Sequence, residues 1–191
     1  MKKEQQPRGI RNNNPLNIIH TKDNWLGLRN PQYDKRFCEF THMKYGYRAA
    51  AIILKKYMTH YHWNTITEII SAWAPHCENN TQAYIDAVCK MMDVTPDYEI
   101  TFDNQPMVCM LMSAMTVVEN GKDWNPMTNY LTLWTHLYDG YILARGARRN
   151  LALYDYEPDA HIEMANERCA ELAYNDMQSL RAKDFNETSQ A

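Results

Sequence analysis

The sequence predicts a mainly α-helical domain with a small loop and β-hairpin region near its N-terminus. Turn formers crowd the chain up to residue 35; beyond Lys44 apolar residues recur at helical spacing; and the stretch Met107 to Val118 is apolar on nearly all sides. With 191 residues, 45% of them apolar and 23% charged, the chain can bury a sizeable core in one compact domain with an appendage. We divide it into a main domain over 1–148 and a C-terminal helical extension over 149–191.

In order along the chain, Pro7, Gly9, Asn12, Asn13, Asn14, Pro15, Asn17, Gly27, Asn30 and Pro31 make a structured loop region. Within it, Leu16 to Ile19 and Arg36 to Phe40 are expected to pair as short strands, with Phe37 and Glu39 on one face. Tyr47, Ala50, Ala51, Leu54, Tyr57, Met58 and Tyr61 mark the first amphipathic helix, and Ile66, Ile69, Ile70 and Trp73 a second that Pro75 stops. Asn79, Asn80 and Thr81 offer caps for a helix through Tyr84, Ala87, Val88 and Met91. Pro106 fits the first turn of the central, buried helix, and Gly121 its end. Asn125 and Pro126 then predict a helix start, with Met127, Tyr130, Trp134, Leu137, Tyr138 and Tyr141 on one stripe towards Gly146. A last helix is expected from near Pro158, carrying Ile162, Ala165, Cys169, Leu172 and Leu180 ahead of a polar tail.

Composition excludes several function classes. Lys and Arg number 20 against 23 Asp and Glu, a formal charge of −3, so no global basic field attracts nucleic acid; Arg145, Arg148 and Arg149 form only a short cluster. The longest apolar run is too short to cross a bilayer and no signal segment is legible, so the chain is expected to be soluble and cytoplasmic when made. Five scattered cysteines, Cys38, Cys77, Cys89, Cys109 and Cys169, read as reduced core thiols. Without CxxC or HExxH, and with His60 and His62 on different helix faces, no metal and no cofactor is expected.

Polar residues in apolar surroundings are the candidates for chemistry. Glu119 ends the most apolar helix, in Val117-Val118-Glu119-Asn120-Gly121, where the helix dipole and burial both raise a carboxyl pKa; a general acid at neutral pH needs that. The plainer alternative is a Glu at a frayed end, facing water or pairing with Arg48. Glu78 stands just before a helix start, where a carboxylate is electrostatically welcome and capping explains it well enough. Glu39 lies between aromatics on a short strand, either beside a cleft or on a solvated face. Arg11-Asn12-Asn13-Asn14-Pro15-Leu16-Asn17 forms a rigid turn displaying amides, and amides with aromatic rings are what sugars bond to and stack on. Trp25, Tyr33, Tyr45, Trp63 and Trp73 are the ring candidates, against the alternative that they fill the core.

Taken together, Arg8 to Ile18, Trp25-Leu26-Gly27, Phe37 to Phe40, Gly46-Tyr47-Arg48-Ala49-Ala50 and Ala74-Pro75 through Glu78-Asn79-Asn80-Thr81-Gln82-Ala83-Tyr84-Ile85 resemble the phage and prophage proteins labelled structural protein P5. The match in order and spacing covers roughly residues 8 to 121, so Trp124 to Ala191 reads as an elaboration. Members of that family are similar to lysozyme-like, peptidoglycan-degrading proteins, and Asn-Pro-x-Asn-Ile followed by Trp-x-Gly resembles the substrate side of bacterial glucosaminidases. The resemblance implies an α+β lysozyme-like fold and cleavage of the cell-wall glycan by a Glu general acid. The acid that glucosaminidases place on a helix ahead of the Asn segment has no counterpart in the seven residues before Arg8.

The expected catalytic residues are Glu119 and Glu78, then Glu39. Arg11, Asn12, Asn13, Asn14 and Asn17 shape the glycan site, joined on the family motifs by Trp25, Arg48, Asn79 and Tyr84. The expected partners are the peptidoglycan glycan strand and other virion proteins, with no nucleic acid and no membrane, and the expected destination is the virion or the cell wall. The competing reading is a non-catalytic virion or host-interaction protein that keeps the fold.

Overall fold

A computed structural model of the protein describes residues 6–76, 80–129 and 133–146. Within them the chain is mainly helical: α1 (Arg8–Arg11), α2 (Met43–Thr59), α3 (Ile66–Trp73), α4 (Thr81–Met92), α5 (Gln105–Asn120) and α6 (Thr135–Arg145), with a 3-10 turn over Lys122–Trp124. Among the described residues there is no sheet, only isolated antiparallel bridges. One of them, Ile19 to Phe37, lies where the two N-terminal apolar pieces were expected to pair.

Three helices, α2, α3 and α4, begin where a side chain offers a partner for free N–H groups. The His42 ring accepts from the Lys44 N–H ahead of α2. Thr65 and Glu68 form a reciprocal capping box at α3, with Glu68 also accepting from the Asn64 N–H at 3.0 Å. Asn80 accepts from the Ala83 N–H at 3.1 Å to open α4, which ends on Asp93 in the left-handed region, φ 54°. Pro106 sits in the first turn of α5, and Gly121, at φ 92°, ends it by donating to the Val117 carbonyl at 2.8 Å.

The central helix is α5, whose Val108, Leu111, Met112 and Met115 are fully buried. It packs against α4, α6 and the short α1, while α2 crosses α6 and α3 lies on α4. Tyr47 of α2 and Tyr141 of α6 are buried in the same core with their hydroxyls bonded, to Thr116 at 3.2 Å and to the Phe102 carbonyl at 2.8 Å. Cys38, Cys89 and Cys109 are buried free thiols, as the scattered cysteines suggested. Burial pushes the Cys38 thiol up to about 12 and that of Cys109 to about 11, so both stay protonated and inert. No described helix is long and apolar enough to cross a membrane.

One expected helix starts late. Asn125 to Thr128 is a turn rather than the beginning of a helix, because the Asn125 side chain accepts from the Met127 N–H at 2.9 Å and so bonds the backbone locally. Met127, expected on the buried stripe, is 52% exposed. Just ahead of α6, the Leu133 and Trp134 N–H groups both donate to the Asn129 carbonyl. The extension over 149–191, with the helix expected from Pro158, lies outside the described residues.

The N-terminal loops are held by their own amides. Asn14 is completely buried; its Nδ2 donates to the Ile18 and Cys38 carbonyls and its Oδ1 accepts from the Ile18 N–H, each at 2.9 Å. The Asn14→Ala variant is expected to lose about 2 to 4 kcal/mol, because truncation strands buried backbone groups in a dry site. Urea denaturation would measure this, and a loss below about 0.5 kcal/mol would mean that the loop simply rearranges. Asn12 donates to Asp34 at 2.8 Å. Burial works to raise the Asp34 carboxyl, but the Arg36 and Phe37 N–H groups, Asn12 and the Arg8 guanidinium outweigh it and bring it down to about 2.

Candidate functional site

The site forms where the amide-rich turn meets the C-terminal end of α5. Asn17 adopts a left-handed backbone, φ 51°, a conformation Asn tolerates better than most residues. Its Nδ2 donates to Glu119 Oε2 at 2.7 Å, joining residues 102 positions apart. The Tyr84 hydroxyl of α4 donates to Glu119 Oε1 at 3.1 Å, and the indole of Trp73, the last residue of α3, also bonds this carboxyl. Four separate segments therefore converge on one half-buried acid.

The electrostatics follow from the chemistry of those donors. Burial raises the Glu119 carboxyl above its usual range, and the bonds from Asn17, Tyr84 and Trp73 only partly offset it. All three donors are neutral, so no cation compensates for lost hydration. Of the two sequence readings of Glu119, the held, partly buried acid is the one observed; the anticipated Arg48 partner is instead buried on α2, its backbone facing Gly140 of α6. Tyr84 is itself buried, and burial together with the adjacent carboxyl pushes its hydroxyl well above its ordinary value. It acts here as a fixed donor.

The Tyr84→Phe variant removes one of the bonds that stabilise the charged form. Its Glu119 carboxyl is expected to titrate at higher pH than in the wild type, followed by carbon NMR of the side chain. An unchanged or lower midpoint would show that Tyr84 does not govern this acid.

Asn17 and Trp73 also border a cleft of about 100 Å³ lined by Thr21, Asp23, Trp25 and Tyr57. Asp23 is 5% exposed and its Oδ2 accepts from the Thr21 hydroxyl. Sequence reasoning missed both residues. The available signal was a carboxylate two residues ahead of Trp25, in the polar run His20 to Asn24.

The sequence is 39% identical over 124 residues to Protein P5 of Pseudoalteromonas phage PM2, an alignment covering 63% of this chain and 74% of the phage protein. The chain belongs to the Protein P5 family of phage proteins. No family model matches the sequence.

In this P5-family protein the expected site residues fall at several distinct places. Asn17 and Trp25 line the cleft with Trp73, while Glu119 is tied to that wall by its bonds from Asn17 and Trp73 and is held from α4 by Tyr84. Asn12 and Asn14 are occupied in holding the loops, and Asn13 donates to the Phe40 carbonyl at 2.9 Å. Arg11 and Asn13 border a separate cavity. Glu39 is buried and accepts from the Tyr33 and Asp34 N–H groups, with Arg29 at 3.7 Å, so its carboxylate ties down the 29–34 loop. Glu78 and Asn79 lie outside the described residues. Of the other candidate sugar platforms, Trp63 is buried and stacked on Tyr61, whereas Tyr33 is 67% exposed.

Proposed function

We propose that this P5-family protein cleaves the glycan strand of bacterial peptidoglycan with Glu119 as general acid. The observation that carries this reading is Glu119 itself, an acid with a raised pKa at a helix end, held by neutral donors of which Asn17 and Trp73 also line the cleft that Asp23 borders. The mainly helical architecture with an acid at a helix terminus is what a lysozyme-like domain would supply. Protonated Glu119 donates to the glycosidic oxygen, the C–O bond opens towards an oxocarbenium-like state, and Asp23 provides the negative charge or the water activation that this state needs. The cleft has room for roughly three waters, so it admits the reacting bond and its nucleophile while the sugar rings lie across its rim. Glu78 and Glu39 rank behind Glu119 as acids, and the protein acts at the wall or from the virion.

A second reading, a non-catalytic virion protein, draws support from the amide turn, most of whose side chains are engaged in holding the loops. Incubating the purified chain with isolated sacculi and scoring soluble muropeptides by mass spectrometry separates the two. Released fragments are expected. No fragments from folded protein that still sediments with sacculi would replace the enzyme reading with the binding one.

A further inference from the structure

We propose that the cavity bordered by Arg11 and His136 is a binding site for a carboxylated sugar, distinct from the cleft beside Glu119. The cavity measures about 290 Å³, and its walls bring together Arg11, Asn13, Asn129, Trp124 and His136 over an apolar floor that includes Ile10 and Met43. No carboxylate is among the described residues that line it. The Arg11 side chain is exposed, and the described residues give it no ion pair. A guanidinium bordering a cavity whose described lining holds no carboxylate is a group that an anionic ligand would complement.

The surrounding charges reinforce this. His136 meets His42 edge-on, with ring centroids 4.6 Å apart. His42 Nδ1 accepts from the Lys44 N–H, so the proton of a neutral His42 resides on Nε2. Burial lowers the His136 pKa, and His42 and Lys44 lower it further, with Asp139 alone opposing them. An anion seated between Arg11 and His136 would reverse that balance. The amide of Asn13 and the face of Trp124 fit the hydroxyls and ring of a sugar rather than a bare inorganic ion. That the ligand is a wall sugar rests on the glycan reading above, which makes N-acetylmuramic acid, with its lactyl carboxylate, the natural probe.

The test is a proton NMR titration of the full chain with N-acetylmuramic acid, N-acetylglucosamine and inorganic phosphate, following the His136 ring across pH. Saturable binding of N-acetylmuramic acid that raises the His136 pKa is expected, with no matching response to N-acetylglucosamine. Arg11→Ala, a surface change that leaves the circular dichroism spectrum intact, is expected to weaken binding by about ten- to a hundredfold. The proposal is overturned by absent binding, by equal binding of N-acetylglucosamine, by phosphate binding as tightly as the sugar acid, or by full binding in Arg11→Ala. Muropeptide release is scored separately, so binding without cleavage refutes the catalytic reading alone and cleavage without binding refutes this one alone.

Discussion

Glu119→Gln is expected to reduce muropeptide release from sacculi by about a hundredfold to ten-thousandfold, the range that a positioned general acid contributes. Gln keeps the volume and an oxygen for Tyr84 or Asn17, so the variant should fold and still sediment with sacculi. Because the acid must carry its proton, wild-type activity should fall as pH rises through the elevated Glu119 pKa. Stability shares that direction. A carboxyl whose folded pKa lies above its unfolded value favours folding most below the unfolded pKa, and this contribution disappears as pH rises through the folded one. Gln has no charge to bury, so the melting temperature of the variant relative to wild type should climb over the same interval. Release at the wild-type rate by Glu119→Gln would remove Glu119 as the acid and turn attention to Glu78 and Glu39.

Gly46→Ala is the substitution for which simple propensity gives the wrong sign. In an exposed helix interior the change gains about 0.5 to 1 kcal/mol. At Gly46 of α2, however, a Cβ would lie 2.2 Å from the Asn13 carbonyl oxygen and 3.0 Å from the Asn14 Cα. Both neighbours are backbone of the amide turn and have no rotamer to change. Overpacking of this kind costs typically about 1 to 3 kcal/mol or more, a loss of roughly 3 to 10 °C in melting temperature for a chain of this size. Gly146→Ala is the control. Among the described residues its added Cβ meets nothing closer than 3.6 Å, and its φ is −76°, so it should be neutral or slightly stabilising. A stabilised Gly46→Ala would mean that the turn does not seat against α2 as described. Displacing that turn would also move Asn17 away from Glu119, so the loss of stability should bring a change in the Glu119 titration.

Much of the scaffold was legible because burial on one side of a helix or strand imprints a period on the sequence. Tyr47, Leu54 and Met58 gave the face of α2, and Ile66, Ile69 and Ile70 that of α3, and the short-range signals Pro75, Asn80, Pro106 and Gly121 marked boundaries close to those observed. Where a side chain satisfied the backbone locally, as Asn125 does at the Met127 N–H, the periodic signal was misleading and the helix begins later. Glu119 stood out because a carboxylate ending so apolar a helix conflicts with its surroundings.

The sequence by itself determined the helical class, the caps, the reduced core thiols at Cys38, Cys89 and Cys109, and Glu119 as the residue out of place. Tertiary structure alone decided its partners: Asn17 and Tyr84 stand 102 and 35 positions away, and Asp23 and Thr21 join the adjoining cleft through folding of the N-terminal loops. It also decided which amides serve the site and which, like Asn12 and Asn14, hold the loops. The physical reason is that period and capping report each residue's local environment, whereas a site is made by contacts between segments, and a residue's spacing within its own helix does not name the residues it will meet across the core.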